Sequence, residues 1–154
     1  MDIIKERLRL EKERENAKKR NKQLIYDIEA LKKKLELNKR YLSKYTALVE
    51  KIELVNSNLD SARSHGNSAV NNLNSNFGGK TAEKISSSYT NSFDDISKVK
   101  NNLKECYEEA TRKKTKYKIA KEDTEKQLNK KKAEKNRGTA LINSYTSQIN
   151  SLGM

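Results

Sequence analysis

A chain of 154 residues has room for one ordinary domain, but only 33% of its residues are hydrophobic and 36% are charged, which excludes a thick globular core. The formal net charge is +13, with no proline and a single cysteine; one cysteine excludes an internal disulfide framework and fits a reducing compartment. No apolar run approaches the roughly 18 residues of a membrane span, and the opening MDIIKERLRLEKE has no signal-peptide core. The expectation is a soluble, cytoplasmic protein without a cleavable export signal, and without membrane insertion.

From Leu24 the apolar residues step alternately by four and three: Leu24, Ile28, Leu31, Leu35, then Leu42, Tyr45, Val49, Ile52 and Leu59. That spacing predicts a helix with a heptad seam. Asn38 and Asn56 interrupt the seam, while Tyr41, Leu48 and Val55 widen it on one flank. The widening implies more than one packing partner. SARSHGNSAVNNLNSNFGG follows, rich in Ser, Asn and Gly, whose side chains compete with the helical backbone. It predicts a turn region over 64–80, with a short helical turn at 69–73.

A second helical track is expected over 81–152. Its seam is read as Ala82, Ile85, Tyr89, Ile96, Val99, Leu103, Cys106, Ala110, Tyr117 and Ala120, with Ser92 and Lys113 as polar interruptions and Phe93, Tyr107 and Ile119 thickening it. The seam fades through the Lys-rich stretch 121–137 and resumes with Leu141, Ile142, Tyr145, Ile149 and Leu152. Strand signals are absent. A fold back near Gly78 pairs residues whose numbers sum to about 156: Ile4 and Leu8 with Leu152 and Ile149, Ile28 with Leu128, and Ile52 with Leu103. The apolar-poor segments 9–23 and 124–140 then coincide. The fold expected is all-α: a single elongated antiparallel two-helix hairpin, coiled-coil-like, about 100 Å long. Its first arm is 2–63, its turn region 64–80 with Phe77, Gly78 and Gly79, and its second arm 81–152.

Candidate chemistry is sparse. Gly-Gly-Lys-Thr at 78–81 looks like the tail of a phosphate-binding loop, but that pattern needs a glycine where Asn74 stands, and a buried strand leading in. His65, the only histidine, has no cysteine or carboxylate at metal-ligand spacing. Cys106 falls on an expected seam position, which favours a buried inert thiol over a nucleophile, with an intersubunit disulfide as the other reading. Asp94, Asp95, Glu108 and Glu109 lie on an open helix face. No catalytic residue, metal site or cofactor is expected, and the chain is read as not an enzyme.

The charge is unevenly placed. Segment 18–44 carries ten basic and three acidic residues, and 112–137 carries twelve and four; the hairpin sets them side by side. This basic band is a solvated face, a docking surface for an acidic protein or a binding site for nucleic-acid backbone. The last reading lacks interleaved aromatics, ribonucleoprotein motifs and zinc-ligand spacings.

A long helix, then Phe77-Gly78-Gly79, then Ala82 and Ile85 opening a second long helix, resembles the WXG family of helical hairpins tied to type VII secretion in Gram-positive bacteria. Phe77 takes the tryptophan position of the family's Trp-x-Gly turn and Gly79 the glycine position. An aromatic there can plug the open end of a hairpin, while glycine permits the positive φ of a tight reversal. The length and Lys/Glu-rich helices look more like the YwqH-like branch, associated with LXG-domain toxins. Phenylalanine replaces tryptophan, and no tyrosine is followed four residues later by Asp or Glu, so the family's C-terminal Tyr-x-x-x-Asp/Glu export signal is missing and a partner must supply it.

The resemblance implies a non-enzymatic targeting partner, adaptor or chaperone that binds the helical N-terminal domain of an LXG-type toxin, and whose export with that cargo stays open. A further small helical partner and a homodimer are also open. The partner surface expected is Tyr41, Leu48 and Val55 facing Phe93 and Tyr107, with Lys32, Lys33, Lys130 and Lys131 orienting the encounter. The alternative is a cytoplasmic coiled-coil or nucleic-acid-associated basic protein.

Overall fold

The computed structural model describes residues 2–76 and 78–153. The protein is an all-α antiparallel hairpin of two helices, α1 (Ile3–Asn76) and α2 (Lys80–Leu152). Phe77 lies outside the described residues, so the aromatic of the turn motif has no structural account. Gly79 holds φ +97°, and its carbonyl accepts the Glu83 amide at 3.2 Å, opening α2. This positive φ is the conformation the glycine position was expected to need.

The reversal is shorter than the Ser/Asn/Gly-rich composition suggested. Helix continues through 64–76, and only 77–79 separate the two helices. Local propensity is a weak prior that packing overrides. A Cβ on Gly66 would sit 2.8 Å from Cε1 of Phe93. Gly66 is thus a small residue in a helix that lets an aromatic ring approach, rather than a turn residue. Ser86 Oγ also donates to Asn74 Oδ1 at 2.9 Å.

The chain divides into two units, one made of the segments through Arg40 and from Lys118 onward, the other of Tyr41–Tyr117. In the unit of the chain ends, Ile28, Leu35 and Leu128 form a buried cluster with Leu31 against it. Leu24, Leu10 and Ile149 are also buried. The expected meeting of Ile28 with Leu128 is observed. The expected burial of Ile4 and Leu8 is not: they are 71% and 60% exposed, and Leu10, at 3%, takes the seam position. Asn38, read as a seam interruption, is buried and donates from Nδ2 to Thr124 Oγ1 at 3.2 Å. The Thr124 hydroxyl in turn donates to the Ala120 carbonyl at 2.7 Å. Asn21 Nδ2 donates to Thr139 Oγ1 at 3.1 Å. A Cβ on the neighbouring Gly138 would collide with the Asn21 amide, so this glycine makes room for a polar crossing inside α2.

In the Tyr41–Tyr117 unit, Val49, Ile52 and Ala110 are buried together with Leu103 against them, again an expected pairing. The expected second column of the α2 seam is displaced by one residue. Half-buried positions are Ser86, Phe93, Lys100 and Lys114, whereas Ile85, Val99 and Cys106 are exposed. The expected burial of the Cys106 thiol is therefore overturned. Lysine stems can line a seam while their ammonium groups reach water, so hydrophobicity alone misplaced the column.

The pairing sum is also slightly larger than 156. Asp27 with Lys131 gives 158 and Asn21 with Thr139 gives 160 in one unit; Tyr41 with Tyr117 gives 158 and Asp60 with Lys100 gives 160 in the other. The cause is side-chain direction. Every helical Cβ leans toward its own N-terminus, which moves the centre of the pairing by about one residue on each arm; individual contacts scatter around it, from Ile28 with Leu128 at 156 to Asn38 with Thr124 at 162.

The turn and the buried polar pair each yield a stability test. A Cβ at Gly79 meets nothing within 4 Å, so any penalty there is conformational. Gly79→Ala should lower stability by about 1–2 kcal/mol and Gly79→Asn by less; identical urea midpoints for all three proteins would contradict the positive-φ requirement. At the polar pair, Thr124→Val strands the Asn38 amide and should cost about 1–3 kcal/mol. Asn38→Leu should cost less, because Thr124 keeps its bond to Ala120, and the double variant should recover much of the loss. Additive losses in that cycle would show that the two side chains are not coupled.

Candidate partner-binding surface

Hairpin geometry gives each unit a seam and two solvent-facing flanks. In the Tyr41–Tyr117 unit the seam residues alternate by four and three on both arms, and the residue one step out on either side belongs to a flank. On one flank Tyr45, Leu48, Cys106, Glu109, Ala110 and Lys113 line a shallow groove of about 220 Å³. On the other, Ile52, Glu53, Asn56, Lys100, Asn101, Leu103, Lys104 and Tyr107 line one of about 370 Å³. The expected facing of Leu48 and Tyr107 is thus corrected. Leu48 shares its groove with Cys106 and Lys113, whereas the Tyr107 hydroxyl donates to Glu53 Oε1 at 3.3 Å on the opposite flank. On that same flank Lys100 pairs with Asp60.

The remaining apolar candidates also separate. Val55, seven residues after Leu48, continues the Leu48 column and is 45% exposed. Phe93 is half-buried against Gly66. Tyr41 stacks on Tyr117 with ring centroids 4.9 Å apart, and Tyr45 stacks on the same ring at 5.7 Å. Lys113 and Lys116 lie 5.7 and 5.9 Å from the Tyr45 and Tyr117 ring centroids, a range where the negative ring face attracts cations. Lys113 also reaches Glu109 at 3.4 Å. That contact, with the nearby Tyr45, raises its pKa above the ordinary lysine value.

Among the basic candidates, Lys32 is held by Glu29 at 2.7 Å and Lys131 by Asp27 at 3.4 Å. Lys33 and Lys130 are exposed and enter no ion pair among the described residues. Within the unit of the chain ends, 18–40 carries nine basic and three acidic residues and 118–137 carries eight and four. The unit therefore has a strong excess of cations, of which Lys33 and Lys130 are free to meet an anion. Lys32 and Lys131 also shape their own neighbours. Hydrogen bonding to Lys32 holds Glu29 below the ordinary carboxylate range.

Val99, Ile85 and Cys106 lie beside the seam rather than on it, yet the correct column is traceable in the sequence. Counting back from Ile149 in sevens gives Ile142, Lys135, Leu128, Lys121, Lys114, Tyr107, Lys100, Phe93 and Ser86. Continuity with the terminal apolar segment was the missed signal. Among the described residues no cluster of three or more His, Cys, Asp or Glu side chains could hold a metal ion, and no helix is long and apolar enough to cross a membrane. No known family model, curated protein or solved structure matches the chain.

Asp27 offers a titration test of the cross-arm contact. Its pKa is lowered, first by the hydrogen bond from Gln23 and then by Lys131. A depressed carboxylate contributes stability above its unfolded pKa that is lost as pH falls through the folded value. Gln23→Ala should therefore raise the Asp27 midpoint in an NMR titration more than Lys131→Gln does. The reverse order would contradict the arrangement of these contacts.

Proposed function

We propose that this protein is a non-enzymatic adaptor of type VII secretion that binds the helical N-terminal domain of an LXG-type toxin. The observation that carries the reading is the turn: two antiparallel helices are joined across only 77–79, with Gly79 at positive φ. That is the position aligned with the glycine of Trp-x-Gly in the resemblance set out above. The surface is consistent with a binding role. Within the Tyr41–Tyr117 unit, Leu48, Val55 and Val99 stay 40%, 45% and 47% exposed, apolar surface that the hairpin's own seam leaves available to a partner.

Nucleic-acid backbone binding is the second reading, favoured by the free ammonium groups of Lys33 and Lys130. Titration of the purified protein against an LXG-type N-terminal domain and against random-sequence duplex, at low and moderate salt, separates the two. The expected outcome is saturable binding to the toxin domain. Lys33→Glu with Lys130→Glu should slow that association and reduce its salt sensitivity. Tight, salt-sensitive binding to duplex alone, removed by the same two reversals, would replace the adaptor reading. Lys131→Glu is less informative, because it sets a carboxylate beside Asp27.

A further inference from the structure

Both flanks of the Tyr41–Tyr117 unit border solvent, yet their chemistry differs. On the Glu53 side, the residues one step out of the seam include Thr46, Glu53 and Asp60 on α1 and Ser97, Lys104 and Thr111 on α2. All are polar; Glu53, Asp60 and Lys104 are exposed, while Thr46 and Ser97 are half-buried and donate to the Leu42 and Phe93 carbonyls of their own helices at 2.8 and 3.0 Å. On the Leu48 side the same step carries Leu48 and Val55 on α1 and Val99 and Cys106 on α2, the latter two bounded by Ser92 and Lys113 at the same spacing. Leu48, Val55 and Val99 are 40%, 45% and 47% exposed. Scattered exposed apolar residues are ordinary, but a column repeated at seven-residue spacing on both helices matches the repeat of another helix. None of these four residues belongs to the buried clusters of the hairpin.

Charge around the column indicates what covers it. Lys44 and Lys51 bracket Leu48 at the preceding and following turns of α1, and both are exposed. Across the groove stand Lys113, shared with Glu109, and Lys116 over the Tyr117 ring. The cations therefore gather around Leu48. Further along, Asp95 lies one turn before Val99 on α2, with the exposed Lys98 directly before Val99. The cations are therefore denser at the Leu48 end of the apolar column than at the Val99 end.

We propose that one amphipathic helix of the toxin domain lies along the Leu48 side, its apolar face on Leu48, Val55, Val99 and Cys106. Its acidic residues lie where it crosses Leu48, between Lys44 and Lys51 on one edge and Lys116 on the other. The Glu53 side stays in water. This inference rests on the adaptor reading and adds the face and the charge pattern of the partner. Apolar contact supplies the binding and the lysines set the helix's placement along the groove.

Cys106, the sole cysteine, is a native reporter of the covered flank. The rate of maleimide alkylation is measured for the free protein and for its complex with a purified LXG-type N-terminal domain. The control is Lys104→Cys in a Cys106→Ser background, whose introduced thiol reports the Glu53 side. The expected result is that complex formation slows Cys106 alkylation at least about tenfold and leaves alkylation of the control thiol unchanged. Lys44→Glu with Lys51→Glu should weaken the complex by about tenfold or more, while Lys104→Glu leaves it unaffected. A stable complex in which Cys106 reacts as fast as in the free protein would overturn the assigned face while sparing the adaptor function. Absence of any complex would overturn both. Concentration-dependent protection of Cys106 without toxin, abolished by Val99→Asp, would assign the face to a second copy of the chain and overturn the inference equally.

Discussion

Two helices packed against each other share one strip of contact, and every other part of their surfaces must be satisfied by water or by another molecule. That constraint explains the sparing use of apolar residues and the alternation of four and three along both arms. It also explains why the interior can admit Asn21, Asn38 and Thr124. Each seam position faces only a few neighbours, so a polar side chain needs a partner directly across the seam to remain there. The buried amide-to-hydroxyl bond of Asn38 to Thr124 meets that condition; the half-buried Asn21 donates to Thr139, while its Oδ1 has no hydrogen-bond partner among the described residues.

Much of this organisation is readable from residue spacing. The α1 seam, the antiparallel fold, and the proximity of Ile28 to Leu128 and of Ile52 to Leu103 follow from it, because a narrow strip leaves a strong periodic signal. The second column of α2 was obscured for a physical reason: a contact strip can use lysine stems, while an adjacent flank can carry valine and isoleucine. Lys100 and Lys114 occupy the strip, and Val99 and Ile85 lie beside it. The continuation of helix through Asn76 was hidden for a different reason. Gly66 has poor intrinsic helix propensity, but its missing Cβ is what the ring of Phe93 requires. The candidate surface was correspondingly half readable: Leu48 and Val55 were visible as a flank, whereas the opposite placement of Tyr107 required side-chain geometry.

Charge acts at two scales. Many close pairs are local, three or four residues apart on one exposed helix face, such as Lys32 with Glu29 and Lys18 with Glu15. These contribute little individually in water. The excess of cations over 18–40 and 118–137 survives this local pairing and produces a field that an approaching anion experiences before contact. The lysines around Leu48 are a smaller feature of a different kind, since they border an apolar column and so combine orientation with burial.

The polar crossings have a further consequence, because a heptad repeat is nearly indifferent to displacement by one repeat. Leucine would find another leucine or isoleucine, and two such arms could settle in several alignments of similar energy. Displacement by seven residues would set Thr124 against Leu31 and deprive the Asn38 amide of its hydroxyl. It would also carry the Asn21 amide away from the notch at Gly138 and against residues that have a Cβ. These two crossings index the arms of the unit that holds the chain ends like teeth on a rack: within it they exclude sliding more than they add to cohesion.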